Sequence, residues 1–191
     1  MNSEESRNRT AEFSRETNET EARVKINLDG KGKSEIDTGI GFFNHLLENF
    51  AVFALFDLTI QVKGDLEVNS HHTIEDSGIA LGKALRKALG NGEKIARLGF
   101  CFVPLDETLV RVCLDISGRP YLDFTSPKKL AFEAVDFLRG FVNHSLITLS
   151  VEVTKGENEH HICEAIFKGL GYSLRQALAI EPRIEGVLSA K

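Results

Sequence analysis

Two short stretches carry the residues most able to do chemistry, and they are nearly the same stretch. His71-His72-Thr73-Ile74-Glu75 returns as His160-His161-Ile162-Cys163-Glu164, 89 residues later and with Glu at the same offset from both histidines. Four of the six histidines stand in these two pairs. Neighbouring residues on a helix point about 100° apart, so His71 and His72 do not readily converge on one ion. Each does share a helix face with Glu75, at i,i+4 or i,i+3. A His-His-x-x-Glu turn therefore suits two metals, or one metal here and one in a partner half. The four imidazoles and two carboxylates form a nitrogen/oxygen set without thiolate, suited to Mn²⁺, Fe²⁺ or Zn²⁺ rather than Ca²⁺ or a Cys-rich structural zinc. His45, on the preceding helix, is a further candidate ligand. His144 has no repeat partner and reads as an ordinary histidine.

The likeness between the halves extends past the turns. Gly82-Lys83-Ala84-Leu85-Arg86-Lys87-Ala88-Leu89 matches Gly171-Tyr172-Ser173-Leu174-Arg175-Gln176-Ala177-Leu178 at the same spacing, and Leu58–Gly64 is echoed by Leu149–Gly156. Alternating apolar residues predict strands over Thr20–Leu28, Phe56–Val62, Leu98–Pro104, Leu109–Ile116 and Leu146–Val153. Asp29-Gly30-Lys31-Gly32 has the composition of a hairpin turn leading to a return strand at Ser34–Asp37. Helical spacing predicts helices over Phe42–Phe53, Thr73–Leu89, Ala131–Val142 and Ile162–Leu178. Each half thus reads strand, strand, helix, strand, helix. The expected fold is a duplicated α+β unit with two short sheets and their helices packed together. A single domain over 14–180 is expected, made of pseudo-repeats at about 14–92 and 93–180. A mobile polar tail at 1–13 and a C-terminal loop at 181–191 would flank it.

Composition narrows the partners. A chain of 191 residues with net charge −5 is a poor match for nucleic acid, although a few local cations could still hold a small anion. No apolar run is long enough to span a membrane, and no secretory leader is visible. Cys101, Cys113 and Cys163 are odd in number and sit in apolar or helical patterns. That points away from a disulfide framework and towards a reducing, cytoplasmic setting.

Longer segments then fall into place: Arg15-Glu16-Thr17-Asn18-Glu19-Thr20, Gly39-Ile40-Gly41-Phe42-Phe43-Asn44-His45, Gly64-Asp65-Leu66-Glu67-Val68, Val103-Pro104-Leu105-Asp106-Glu107, Leu114–Leu122 with Ser117-Gly118-Arg119-Pro120 inside it, and Gly156-Glu157-Asn158 running into the second His-His turn. In this order, and from about Arg15 to Ser189, the chain resembles imidazoleglycerol-phosphate dehydratase, a family of histidine biosynthesis. The resemblance implies two mixed or antiparallel four-stranded sheets with helices between them, a fold similar to the second domain of ribosomal protein S5. It also implies a manganese-dependent hydro-lyase converting imidazoleglycerol phosphate to imidazoleacetol phosphate, built from trimers into a 24-subunit shell with metal sites between subunits.

Carried over by position, the metal ligands are His45, His71, His72, Glu75, His160, His161 and Glu164, and the eighth falls on Asp136, where the family pattern has histidine. The phosphate cradle falls on Arg97, Arg119 and Lys168. Asn49 stands where Gln is usual, and Asn44 and Asn69 where Asp is usual. Arg183 and Glu185 replace the Ser and Lys that normally precede Gly186-Val187-Leu188; Glu185 opposes phosphate and Arg183 partly compensates. The segment after Leu122 is shortened. Glu19 is the carried-over acid/base, with Glu75 and Glu164 as ligands able to shuttle protons. In such a reaction two metals hold the ring as imidazolate, the hydroxyl leaves through a diazafulvene-like state, and an enol tautomerises to the ketone. Asp136 and Glu185 motivate one alternative, a metal-binding shell protein of this fold with impaired turnover. A second is an unrelated hydrolase using metal-bound hydroxide.

Overall fold

The structure, a computed structural model, describes residues 9–188. Each half supplies one four-stranded sheet and two helices. The first comprises β1 (Thr10–Glu16), β2 (Thr20–Asn27), β3 (Ser34–Asp37), α1 (Gly41–Ala54), β4 (Asp57–Gly64) and α2 (His71–Leu89). The second comprises β5 (Leu98–Leu105), β6 (Thr108–Asp115), β7 (Tyr121–Thr125), α3 (Ala134–Ser145), β8 (Thr148–Lys155) and α4 (Glu159–Ala177). Strand order is β1-β2-β4-β3 in one sheet and β5-β6-β8-β7 in the other. The last pair in each sheet is parallel and the other pairs are antiparallel. The sheets are mixed, as the family resemblance implied.

The central strands alternate strictly. Ala22, Val24 and Ile26 on β2 and Leu58, Ile60 and Val62 on β4 turn into one core layer, and Val110, Val112 and Leu114 on β6 and Leu149, Val151 and Val153 on β8 turn into the other. The helices lie between the sheets and meet across the halves, α2 against α3 and α1 against α4. Phe43, Leu46, Leu47 and Phe50 form the buried stripe of α1, while Phe137, Phe141 and Phe167 fill the same central layer from α3 and α4. Small residues set the approach. A Cβ on Gly78 or Gly82 of α2 would meet the backbone carbonyls of Phe137 or Phe141 at 2.4 and 2.5 Å, and one on Gly171 of α4 would meet that of Phe50 at 2.5 Å. These contacts leave room for hydrogen and nothing larger.

Four expectations change. Arg9 to Phe13 are not part of a mobile tail: Arg9 is buried, pairs with Asp29 and donates to the Leu178 carbonyl at 2.6 Å, and β1 starts at Thr10. Residues 1–8 of that expected tail lie outside the described residues. The turn at Asp29–Gly32 does not close a hairpin, because β3 pairs parallel to β4 and not with β2. The loop is held instead by Asp57, whose carboxylate accepts from the Lys31 and Lys33 amides at 2.8 and 3.1 Å. β7 was absent from the pattern, being five residues long and largely exposed at a sheet edge. With β1 and β7 counted, each half runs three strands, helix, strand, helix. Finally, α2 begins at His71 and α4 at Glu159, so both His-His pairs lie within the first helical turn.

Candidate active site

That first turn fixes where the imidazoles point. At the start of α4, Asn158 caps the helix by accepting from the His160 amide at 3.0 Å. His160 then faces α1, where Nε2 of His45 and Nε2 of His160 lie 2.8 and 2.7 Å from the same oxygen, Oε1 of Glu164. One donor atom from each of these three residues lies within 4.8 Å of the others. The His45 and His160 rings stack with centroids 5.9 Å apart, and Phe42 also stacks on His160 at 4.9 Å. Asn49, one turn after His45, donates to the His45 carbonyl at 3.0 Å and lies 3.2 Å from its Nε2. Lys168 pairs with the second oxygen of Glu164. Burial opposes the Glu164 charge, but Lys168 and the two imidazoles outweigh it and hold the carboxyl down to about 2. Two imidazoles and one ionised carboxylate converging without a thiolate fit Mn²⁺, Fe²⁺ or Zn²⁺.

The first half builds the mirror arrangement less tightly. His71 faces α3, with Nδ1 3.5 Å from Asp136 and Nε2 3.9 Å from Glu75. Asp136 therefore stands to His71 as His45 stands to His160. Its other oxygen pairs with Arg139 at 2.9 Å. In both clusters a basic residue one turn along the helix neutralises a carboxylate donor, Lys168 for Glu164 and Arg139 for Asp136.

The second histidine of each pair turns the opposite way, towards the strand turns. His72 Nδ1 lies 3.1 and 3.2 Å from the two oxygens of Asp65, while its Nε2 faces Glu19 at 3.8 Å. His161 Nδ1 lies 2.8 Å from Glu107 and its Nε2 lies 3.6 Å from Asp106. The hydrogen bond to Asp65 raises the His72 pKa, and that to Glu107 raises the His161 pKa. Glu107 is held far below the usual carboxylate range, first by the Asn158 amide and then by His161. A carboxylate on Nδ1 fixes the ring and its tautomer and leaves Nε2 pointing away from it, as carboxylates hydrogen-bonded to the far nitrogen do for metal-bound histidines.

The expected phosphate residues do not gather here. Arg97 makes a two-pronged pair with Asp115 at 2.6 and 2.9 Å and donates to the Leu188 carbonyl at 2.6 Å. It lines a cleft of about 300 Å³ with Arg86, Ser117, Gly118, Val187 and Leu188, and the exposed Arg119 follows in the same loop. The Arg97 amide bonds the Ala177 carbonyl at the far end of α4. At 1.5 Å per residue, that end is about 25 Å from His160. Arg183 closes on Glu181 at 2.6 and 2.7 Å. Only Lys168 of the phosphate set shares the His45 cluster. His144, as expected, is spent locally, on the Gly140 carbonyl at 2.8 Å.

Asp65, Asp106, Glu107, Arg139 and Phe42 stand outside the ligand, acid/base and phosphate sets that the motifs imply. All but Arg139 lie in the segments that carried the family resemblance, so their positions were visible and only their contacts were not.

The family model for "Imidazoleglycerol-phosphate dehydratase" matches residues 38–174, which span both clusters. The chain belongs to that family. Imidazoleglycerol-phosphate dehydratases are hydro-lyases, and the relatives match almost end to end. The dehydratase of Clostridium novyi (strain NT) is 51% identical over 184 residues, covering 93% of this chain and 94% of its own. That of Thermoanaerobacter pseudethanolicus is 51% identical over 190 residues, covering 96% and 98%. Among solved structures, the dehydratase from Pyrococcus furiosus in complex with (S)-C348 superposes with a TM-score of 0.79 at 38% identity, covering 92% of this chain and 100% of that one. The Staphylococcus aureus dehydratase also gives 0.79, at 34% identity, with 90% and 99% covered. Among the described residues no helix is long and apolar enough to cross a membrane.

Proposed function

We propose that this dehydratase-family protein removes water from imidazoleglycerol phosphate to give imidazoleacetol phosphate in histidine biosynthesis. Two Mn²⁺ ions would be held by His45, His160 and Glu164 and by His71, Glu75 and Asp136, with the outward Nε2 atoms of His72 and His161 completing sites on neighbouring copies. The observation that carries this reading is the convergence of His45 with His160 and Glu164 from the opposite half of the chain, all on one oxygen. Ions bound there would supply positive charge at the ring nitrogens of an imidazole as negative charge develops on it.

The chain's own groups then divide the work. Glu19, facing the space beside His72 Nε2, is the acid/base for the carbon-bound proton, a task for a carboxylate within reach of the substrate. Glu75 and Glu164 hold the donor sets and offer further proton acceptors. Asn49 restrains His45 beside the bound ring. Arg97, Arg119, Lys168 and Arg183 are the cations for the phosphate dianion. Arg97 lies about 25 Å along α4 from His160, far beyond the three-carbon chain between ring and phosphate. A neighbouring copy must therefore bring its Arg97 and Arg119 to this chain's metal donors. That requirement supports a closed homo-oligomer, proposed as a 24-mer of trimers in the cytoplasm.

A metal-binding shell protein with impaired turnover is the second reading, favoured by Arg139 on Asp136. Incubation with Mn²⁺ and imidazoleglycerol phosphate, following the enolisable ketone, separates them. Product formation supports the dehydratase. Substrate bound without product supports the shell.

A further inference from the structure

One buried carboxylate in the first half has no counterpart in the second. Asp76 on α2 is 6% exposed and accepts from Arg15 Nε at 2.8 Å and from the Thr20 hydroxyl. Arg15 lies near the end of β1 and Thr20 opens β2, so the carboxylate grips both strands at the base of the turn that carries Glu19. Within the turn, the Thr17 hydroxyl accepts from the Glu19 and Thr20 amides at 3.2 and 2.9 Å. The Glu19 carbonyl accepts from the Asp65 amide at 3.1 Å, and Asp65 in turn holds His72. Asp76, one helical turn past His72, thus ties the turn bearing Glu19 to the helix bearing His72.

Burying a charge is costly, and a buried ion pair is weak evidence for stability as such. The second half folds the same way without it. Its position 89 residues on is Ala165, fully buried, and Thr108, which opens β6 as Thr20 opens β2, spends its hydroxyl on Glu107. A clamp needed only for packing strands on a helix would serve both halves alike.

We propose that Asp76, with Arg15 and Thr20, is a positioning residue that fixes Glu19 relative to His72 for proton transfer. This rests on Glu19 being the acid/base. In the assembled, Mn²⁺-loaded protein, Asp76→Ala and Thr20→Val should each lower kcat about 10- to 100-fold, the scale of an ångström's misplacement. KM should change by less than about threefold, with bound metal unchanged. Thr20→Ser, which keeps the hydroxyl, should restore turnover. In a Glu19→Gln background, Asp76→Ala should cause no further loss, because both changes act through one group. An inactive Glu19→Gln beside a fully active Asp76→Ala, or losses that multiply in the double variant, would overturn the positioning role alone. A fully active Glu19→Gln would overturn the acid/base reading and the positioning role with it. Should Asp76→Ala fail to assemble, the near-isosteric Thr20→Val, alone and with Glu19→Gln, decides between the same outcomes.

Discussion

Replacing Gly78 by alanine adds one methyl where α2 crosses α3. The new Cβ would sit 2.4 Å from the Phe137 carbonyl oxygen and 3.1 Å from the Phe141 amide, backbone atoms that cannot rotate away. An ordinary C···O contact is about 3.3–3.6 Å, so the helices must part by roughly 1 Å. Gly82 at 2.5 Å from the Phe141 carbonyl and Gly140 at 2.7 Å from that of Glu75 make the crossing tight over more than a turn. Overpacking costs about 1–3 kcal/mol, and the upper end applies because backbone must move. Alanine's better helix propensity returns about 1 kcal/mol, leaving a net loss of about 2 kcal/mol, or a melting temperature lower by about 4–8 °C in a chain of this size. Gly41→Ala is the control: nothing lies within 4 Å of its added Cβ, and stability should hold or rise slightly. Unfolding should be followed at fixed protein and Mn²⁺ concentration, since binding and assembly shift apparent stability. A Gly78→Ala protein within about 0.5 kcal/mol of the parent, the size of an unremarkable surface change, would refute the idea that close helix approach governs this crossing.

Three further outcomes follow from the side-chain environments. Burial, and then Glu159, push the Cys163 thiol up to about 12, so it should resist a thiol reagent at pH 8 in the native protein and react only after denaturation; mapping the modified cysteines by mass spectrometry checks this, and prompt native labelling would contradict it. Glu164, held down to about 2 from an ordinary 4.5, contributes stability that is present above pH 4.5 and lost as pH falls through about 2. Glu164→Gln should therefore flatten that part of the acid-unfolding profile of the metal-free protein, and an unchanged profile would mean that its pairing adds no pH-dependent stability. If metals join neighbouring copies, a chelator should dissociate the oligomer as well as stop turnover, and an unchanged sedimentation profile would exclude metals as the link.

The central strands and the twin turns were legible in the sequence because each is a strong local pattern. β2, β4, β6 and β8 bury one face and so alternate strictly. β1 and β7 are edge strands whose burial is too slight to leave that signature. The Asp29–Gly32 turn marks a change of direction but does not encode a partner, and β3's parallel pairing with β4 depends on a crossover through α1. The divergence of each His-His pair followed from helix geometry alone. What receives each ring did not, because Asp136, Glu107 and Asp65 reach the histidines from separate helices and turns. The 89-residue repeat aligned the histidines but hid the difference between Asp76 and Ala165, which emerges only when burial and partners are compared.

The proposal that the twin turns form two distinct metal-binding centres is tested most directly by counting bound metal. Equilibrium dialysis against Mn²⁺, with bound ion measured by electron paramagnetic resonance and elemental analysis, should give two ions per chain in the assembled protein. His45→Ala and His71→Ala should each lose one. A single ion per chain, or two ions retained in both variants, would contradict it.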